Sequence, residues 1–203
     1  MLPDFIHKHW IIILIVVIVI AVGVFVYFAF FYDYGDEQTT TNTLDNADVS
    51  QTPATSSVPL SQRMNPGNLR NLKDSSGNPL VTYKGEVQPN SDAFKIFTDW
   101  PSGFRAMGMN LYAYLKRGLN SLNTIIPTYA PSADNNNPAV YINTVSSGSG
   151  IDPSQTLTKA DFTNGNYKKI IYSMSKVEQG SSFDPGVGID AGYTNLLNDL
   201  GLS

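Results

Sequence analysis

The run from Trp10 to Tyr32 constrains this chain more than any other stretch. Its 23 residues contain no charge, no Asn, Gln or Pro, and a single glycine, Gly23. At a helical rise of ~1.5 Å per residue it spans roughly 34 Å, slightly more than the ~30 Å hydrocarbon core of a bilayer. Trp10 opens the run, and Tyr27 and Tyr32 lie toward its end, residue types that favour the membrane–water boundary. A cleaved signal peptide is the alternative. Against it, the apolar core exceeds the usual ~7–15 residues, and Val26-Tyr27-Phe28-Ala29-Phe30-Phe31 offers no small-x-small cleavage site. The sequence therefore predicts a retained single-span anchor within residues 1–32. Lys8 precedes the run and no Lys or Arg closely follows it, which places the N-terminus in the cytoplasm and exports the remainder.

After the anchor the composition changes abruptly. Residues 33–62 are rich in Thr, Ser, Asp and Asn, and from Asp33 to Leu60 there are five acids and no base. So few apolar side chains do not offset the entropy of ordering, and the segment reads as a flexible tether, with a coil span on the order of 30 Å. From Ser61 to Gly180 twelve bases face eight acids, so a net formal charge of −4 for the whole chain hides a mildly basic domain. That balance suits an anionic polymer such as cell wall and is too weak to suggest nucleic acid.

The 203-residue chain has no Cys, and its two histidines, His7 and His9, precede the apolar run. Beyond the tether, Ser-His-Asp and Cys-His nucleophilic sites are therefore excluded, as are zinc sites built on His or Cys. No metal site and no cofactor is expected. Chemistry in this region falls to carboxylates, Tyr, Lys or Ser.

The pattern from Arg63 onward predicts a small, mainly α domain over residues 63–180, with one or two short strands near its start. Val81-Thr82-Tyr83 and the segment around Phe94, Ile96 and Phe97 are the strand candidates. Ser102 caps a helix over Gly103–Leu119, where Phe104, Met107, Leu111, Tyr112, Leu115 and Leu119 recur at helical spacing. Asn120–Tyr129 reads as a short second helix or turn. Asn137-Pro138 gives a cap with proline at the first helical position, beginning a helix with Val140, Tyr141 and Val145 inward and Gly148 at its end. The last domain helix runs over Asn166–Gln179, with Tyr167, Ile170, Ile171, Met174 and Val177 as its inward stripe and Gly180 as its stop. Residues 181–203 read as an extended tail in which Tyr193–Leu200 forms a short docking helix.

Among the carboxylates Glu178 stands out. It borders the apolar stripe in the last turn of a helix, where the dipole disfavours negative charge. Partial burial and that dipole both raise a carboxyl pKa, the tuning that a general acid requires. A structural ion pair with Arg70 or Arg105 is the competing role. Glu86 reads as a loop carboxylate, and Asp134 as a turn or secondary cap in the polar loop before Asn137; both remain catalytic candidates. Asn65 and Asn68 have side chains suited to sugar acetamides, although turn residues need no ligand. Tyr83, Trp100, Tyr112, Tyr129 and Tyr141 are candidates to line a glycan groove, against a simpler place in the core.

Several short motifs come in a telling order: Asn65-Pro66-Gly67-Asn68-Leu69-Arg70, Tyr83-x-Gly85, Phe94-x-x-Phe97, Gly103-Phe104-Arg105-Ala106, Ile125-Ile126 and Tyr129-Ala130-Pro131, then Asp134-Asn135, Tyr141-Ile142 and Glu178-x-Gly180. Over about Arg63–Gly180 the chain resembles a family of phage virion proteins that carry a lysozyme-like or lytic-transglycosylase label. It departs from that pattern at Tyr83, where Trp is expected, and at Asp134, where a longer Glu is expected. The resemblance implies a lysozyme-like domain cleaving peptidoglycan; Glu178, Asp134 and Glu86 stand as its catalytic candidates on the side-chain arguments above, and Asn65, Asn68, Tyr83 and Tyr141 as sugar-binding ones. With the anchor, it implies a single-pass protein of a virion's internal membrane, as in tectivirus-like phages, or of the host inner membrane. Its expected partners are the lipid bilayer, peptidoglycan and capsid or other virion proteins. The alternative is a non-enzymatic virion membrane protein linking internal membrane to capsid.

Overall fold

Asp99 marks the point at which the described chain turns helical. The computed structural model describes residues 56–203. The membrane span expected within residues 1–32 lies outside the described residues, as does the tether through residue 55. Among the described residues no helix is long and apolar enough to cross a membrane.

Six α-helices follow Asp99: α1 (Trp100–Lys116), α2 (Leu122–Tyr129), α3 (Pro138–Ser149), α4 (Ala160–Thr163), α5 (Asn166–Gln179) and α6 (Ile189–Asp199). The domain is mainly helical, as the sequence pattern predicts. The Asp99 carboxylate caps α1 by accepting from the Ser102 amide at 2.8 Å, with Pro101 in the first turn. The helix thus begins three residues before the predicted start and uses Asp99 rather than Ser102 as its cap. Asn137 caps α3 as expected, its Oδ1 accepting from the Val140 amide. Gly150, in the left-handed region, ends α3, whereas Gly148 lies inside it. The bounds of α5 are those of the predicted helix.

The segment before α1 contains no strand among the described residues. Its expected strands are replaced by isolated antiparallel bridges, Arg70 with Phe94, Lys73 with Pro79 and Glu86 with Phe97. Side-chain amides hold the rest. Asn65 donates from Nδ2 to the Leu69 and Lys95 carbonyls at 3.0 Å each, and its Oδ1 accepts from the Leu69 amide at 2.9 Å. Asn71 donates to the Asn90 and Asp92 carbonyls. Such bonds satisfy buried backbone groups that a regular sheet would otherwise pair.

One buried cluster joins Phe104, Met107 and Leu111 of α1 to Ile125 and Ile126 of α2, Val145 of α3, and Ile170, Ile171 and Met174 of α5. Each such side chain contributes roughly 1.5–3 kcal/mol by leaving water. Two residues read as inward are not: Val140 is 58% exposed and Val177 is 36% exposed. A stripe ~100° wide does not distinguish its own edges.

The expected extended tail is folded into this core. Ile189, Tyr193, Leu196 and Leu200 are buried in the same cluster, and the Tyr193 hydroxyl donates to the Phe162 carbonyl at 2.7 Å. Helix α6 lies directly against α1 because glycine stands on both sides of the contact. A Cβ at Gly108 would strike the Leu196 side chain, and one at Gly192 would strike the Pro101 carbonyl. The folded unit therefore runs past Gly180 to the α6 helix. It also begins earlier than residue 63, since Ser56–Val58 is fixed to Asp92 and Leu60–Gln62 forms a 3₁₀ turn.

Candidate active site

Glu178 sits in the last turn of α5, which Gly180 ends with φ 95°. Three elements meet around its half-buried side chain. From α3, the Tyr141 hydroxyl donates to Oε1 at 2.7 Å. From the Asn65–Asn68 turn, Asn68 Nδ2 donates to Oε2 at 3.2 Å and to the Glu178 carbonyl at 3.3 Å. Asn68 has φ 48°, the left-handed conformation that Asn tolerates better than most residues. The turn is locked to α5 by the neighbouring Gln179, whose Nε2 donates to the Asn65 carbonyl at 2.8 Å.

Burial raises the Glu178 carboxyl pKa above its ordinary value, while the Tyr141 and Asn68 bonds oppose the shift by favouring the charged form. Burial is the larger effect. The same desolvation lifts the Tyr141 hydroxyl well above the usual phenol range, reinforced by the Glu178 charge. Tyr129 of α2 experiences both influences as well, and its hydroxyl donates to the Gly67 carbonyl inside the turn. The result is a carboxyl with a neutral donor on each oxygen and no cation within ion-pair distance among the described residues. Its proton is held more tightly than in water.

The ion pair that competed with this role does not form. Arg70 pairs instead with Asp134, Nη2 to Oδ2 at 2.8 Å, and Arg105 of α1 pairs with Asp199 of α6. Asp134 lies in the 3₁₀ turn Ser132–Asp134, so the predicted turn role and a charge pair coincide there.

Glu86 is part of a separate structural pair. Both of its carboxylate oxygens lie 2.9 Å from Lys95 Nζ, and Oε2 accepts from the Tyr83 amide at 2.9 Å. The two charged side chains are 3% and 0% exposed. A pair so enclosed closes a loop and lies out of a substrate's reach. Asn65 is 0% exposed and bonded at both ends of its amide, which removes it from the sugar-binding candidates. Tyr83 packs against Phe97, ring centroids 6.5 Å apart, and burial raises its hydroxyl pKa. Asn68 and Tyr141 meet at Glu178 and touch the carboxyl itself.

Sequence reasoning overlooked Arg63, while Tyr129, read as a groove candidate, reaches the Gly67 carbonyl instead. Arg63 is buried next to the Asn65–Asn68 turn, and its Nη1 donates to Asn68 Oδ1 at 3.3 Å. The only signal was its position two residues before that turn. Among the described residues, no three His, Cys, Asp or Glu side chains cluster as metal ligands do. Neither a protein-family model nor a curated protein sequence matches the chain.

Proposed function

We propose that the protein is a membrane-anchored, virion-associated peptidoglycan glycosidase of the lytic-transglycosylase type, with a lysozyme-like domain that acts when the virus enters its host. The observation that carries this reading is Glu178: a half-buried carboxyl of raised pKa, met by Tyr141 and Asn68 and, among the described residues, by no cation. Glu178 protonates the leaving glycosidic oxygen, and burial keeps that proton available above the ordinary carboxyl range. Tyr141 and Asn68 then stabilise the carboxylate left behind, because both donate to its charged form. One working carboxyl suits intramolecular assistance by the sugar's N-acetyl group better than hydrolysis with two acidic groups. The apolar run Trp10–Tyr32 supplies the anchor, in the virion's internal membrane or the host inner membrane.

The decisive measurement is Glu178→Gln in the full chain, assayed on peptidoglycan beside thermal unfolding of the same sample. Turnover falls by ~10²–10⁴, the usual contribution of a general acid, while the melting temperature holds or rises. Undiminished turnover in the folded variant removes Glu178 from the mechanism.

The second reading is a non-enzymatic virion membrane protein that links membrane to capsid. Exposed apolar side chains favour it, notably Val140 at 58%, Val187 at 53% and Tyr172 at 41%, since a capsid protein covering them would gain by their burial. A parent protein without wall-cleaving activity, co-purifying with a shell protein, establishes this second role.

A further inference from the structure

We propose that Arg63 is a positioning residue for Glu178, acting through Asn68, and that the strap Ser56–Val58 seated on Asp92 fixes Arg63 in turn. The segment by which the chain enters the domain is thereby coupled to the candidate acid. This deepens the glycosidase reading and depends on it only for the effect on turnover.

Arg63 is 9% exposed, yet among the described residues no carboxylate pairs with it. Its Nε donates to the Val58 carbonyl at 2.9 Å, its Nη1 donates to Asn68 Oδ1 at 3.3 Å, and its guanidinium lies 4.7 Å from the centroid of the Phe94 ring. Removing a cation from water and giving it only neutral acceptors is costly. What the guanidinium's rigid, planar fork provides here is direction. By donating to Oδ1, Arg63 fixes which end of the Asn68 amide faces away from Glu178. Nδ2 is then left to donate to Glu178 Oε2 and to the Glu178 carbonyl. The opposite rotamer would set an amide oxygen against a carboxylate.

The other two contacts of Arg63 share one support. Asp92 is 7% exposed. Its oxygens accept from Ser56 Oγ at 2.7 and 2.8 Å, from the Ser57 amide at 2.9 Å and hydroxyl at 3.1 Å, and from the Val58 amide at 3.2 Å. Oδ1 also accepts from the Phe94 amide at 3.0 Å. One buried carboxylate thus anchors both the residue whose carbonyl holds Arg63 Nε and the residue whose ring underlies its guanidinium. Residues 1–55, with the apolar run, join the domain covalently at Ser56. A displacement entering there reaches Asp92, then Arg63, then the Asn68 amide and finally the Glu178 carboxyl. Tyr141 of α3 and Tyr129 of α2 are the titratable groups that face Glu178 from the other side.

The chain has three glutamates, Glu37, Glu86 and Glu178. Isotope labelling of glutamate carboxyl carbons in the full chain, in detergent, therefore gives three carboxyl NMR signals, of which that of Glu178 is followed against pH. Asn68→Ala removes a donor to the charged form, so the Glu178 midpoint moves up. Arg63→Lys keeps the charge but loses the fork, and the midpoint moves the same way by a smaller amount. Ser56→Ala with Ser57→Ala, or Asp92→Asn, moves it again in that direction. The double serine variant carries this arm if Asp92→Asn fails to fold. Throughout, the carboxyl signal of the Lys95-paired Glu86 stays unchanged at fixed pH. A wild-type Glu178 midpoint in Arg63→Lys or in the strap variants overturns the coupling, and so does a change in the Glu86 signal, which marks general loosening. On peptidoglycan, the pH at which turnover falls moves with the Glu178 midpoint. A parent without turnover defeats the glycosidase reading, while the carboxyl titrations still decide the coupling.

Discussion

Glu86 and Glu178 are chemically identical side chains enclosed by the same domain, and their surroundings assign them opposite work. Glu86 faces Lys95 across 2.9 Å in a corner that excludes water from both. Glu178 faces a phenol and an amide. Around Glu86 the opposite charge closes an ion pair that fixes Val81 as well, because Lys95 Nζ also donates to its carbonyl at 2.6 Å. Around Glu178 neutral donors leave the two protonation states closer in free energy, while burial tips the balance toward the proton. Compensation by charge builds structure, and compensation by neutral dipoles preserves a group's capacity to titrate.

The largest effect is expected at the structural pair. Lys95→Met leaves the Glu86 carboxyl enclosed without its partner, and stability falls by about 3–5 kcal/mol. Adding Glu86→Gln in the same chain restores most of that loss, which denaturant titration of the two variants measures. A Glu178 variant behaves differently. Its raised pKa means the folded state holds the proton more tightly than the unfolded state, so ionisation there opposes folding. The penalty is absent below the ordinary carboxyl range and grows as pH rises through the ordinary value to the folded one. Glu178→Gln therefore melts no lower than the parent near neutral pH, and any advantage disappears in acid.

Tyr141→Phe is intermediate. It deletes the donor on Oε1 and retains the ring, so the charged form of Glu178 loses a bond. Stability declines by roughly 1–2 kcal/mol where Glu178 is ionised, and the carboxyl titrates at still higher pH. Unfolding curves on both sides of that titration separate the bond from the packing. Arg70→Ala is the smallest change. Its pair with Asp134 is partly exposed, at 27% and 11%, so about 0–1 kcal/mol is at stake. Peptidoglycan turnover stays at the parent level because Arg70 braces Asp134 and not Glu178. A fall in turnover without unfolding would give Arg70 a place in the site.

Where a local pattern decides the outcome, the sequence is a good guide. The stripe Tyr167, Ile170, Ile171 and Met174 followed by Gly180 specifies α5, and Asn137-Pro138 specifies the start of α3. Glu178 is legible for the same reason, since its position on the stripe's edge and in the final turn is a matter of counting. Partners across the fold are not legible. Arg70 and Arg105 are equally available to Glu178 in sequence terms, and only tertiary packing sends Arg70 to Asp134 and Arg105 to Asp199. Residues 63–99 resist reading because side-chain amides hold them, and an amide's bonds leave no periodic trace. The Gly and Pro residues from Ser181 onward suggest a tail with a short docking helix over Tyr193–Leu200, whereas α6 begins at Ile189 and takes Gly192 inside it. Gly192 gives room for α1 to approach, a reason that lies at Pro101, far back along the chain.

That contact has a consequence for how the molecule behaves when cut. The link from Gly180 to Ser182 is exposed, whereas the two faces of the α1–α6 contact are buried and shaped to one another. Cleaving the link would sever one covalent path and leave the interface intact. The fragment carrying α6 would stay bound, and when supplied separately would find the same seat on α1 and complete the core. The domain is thus a natural candidate for complementation, its two halves specified by a glycine-lined seam instead of by an engineered split.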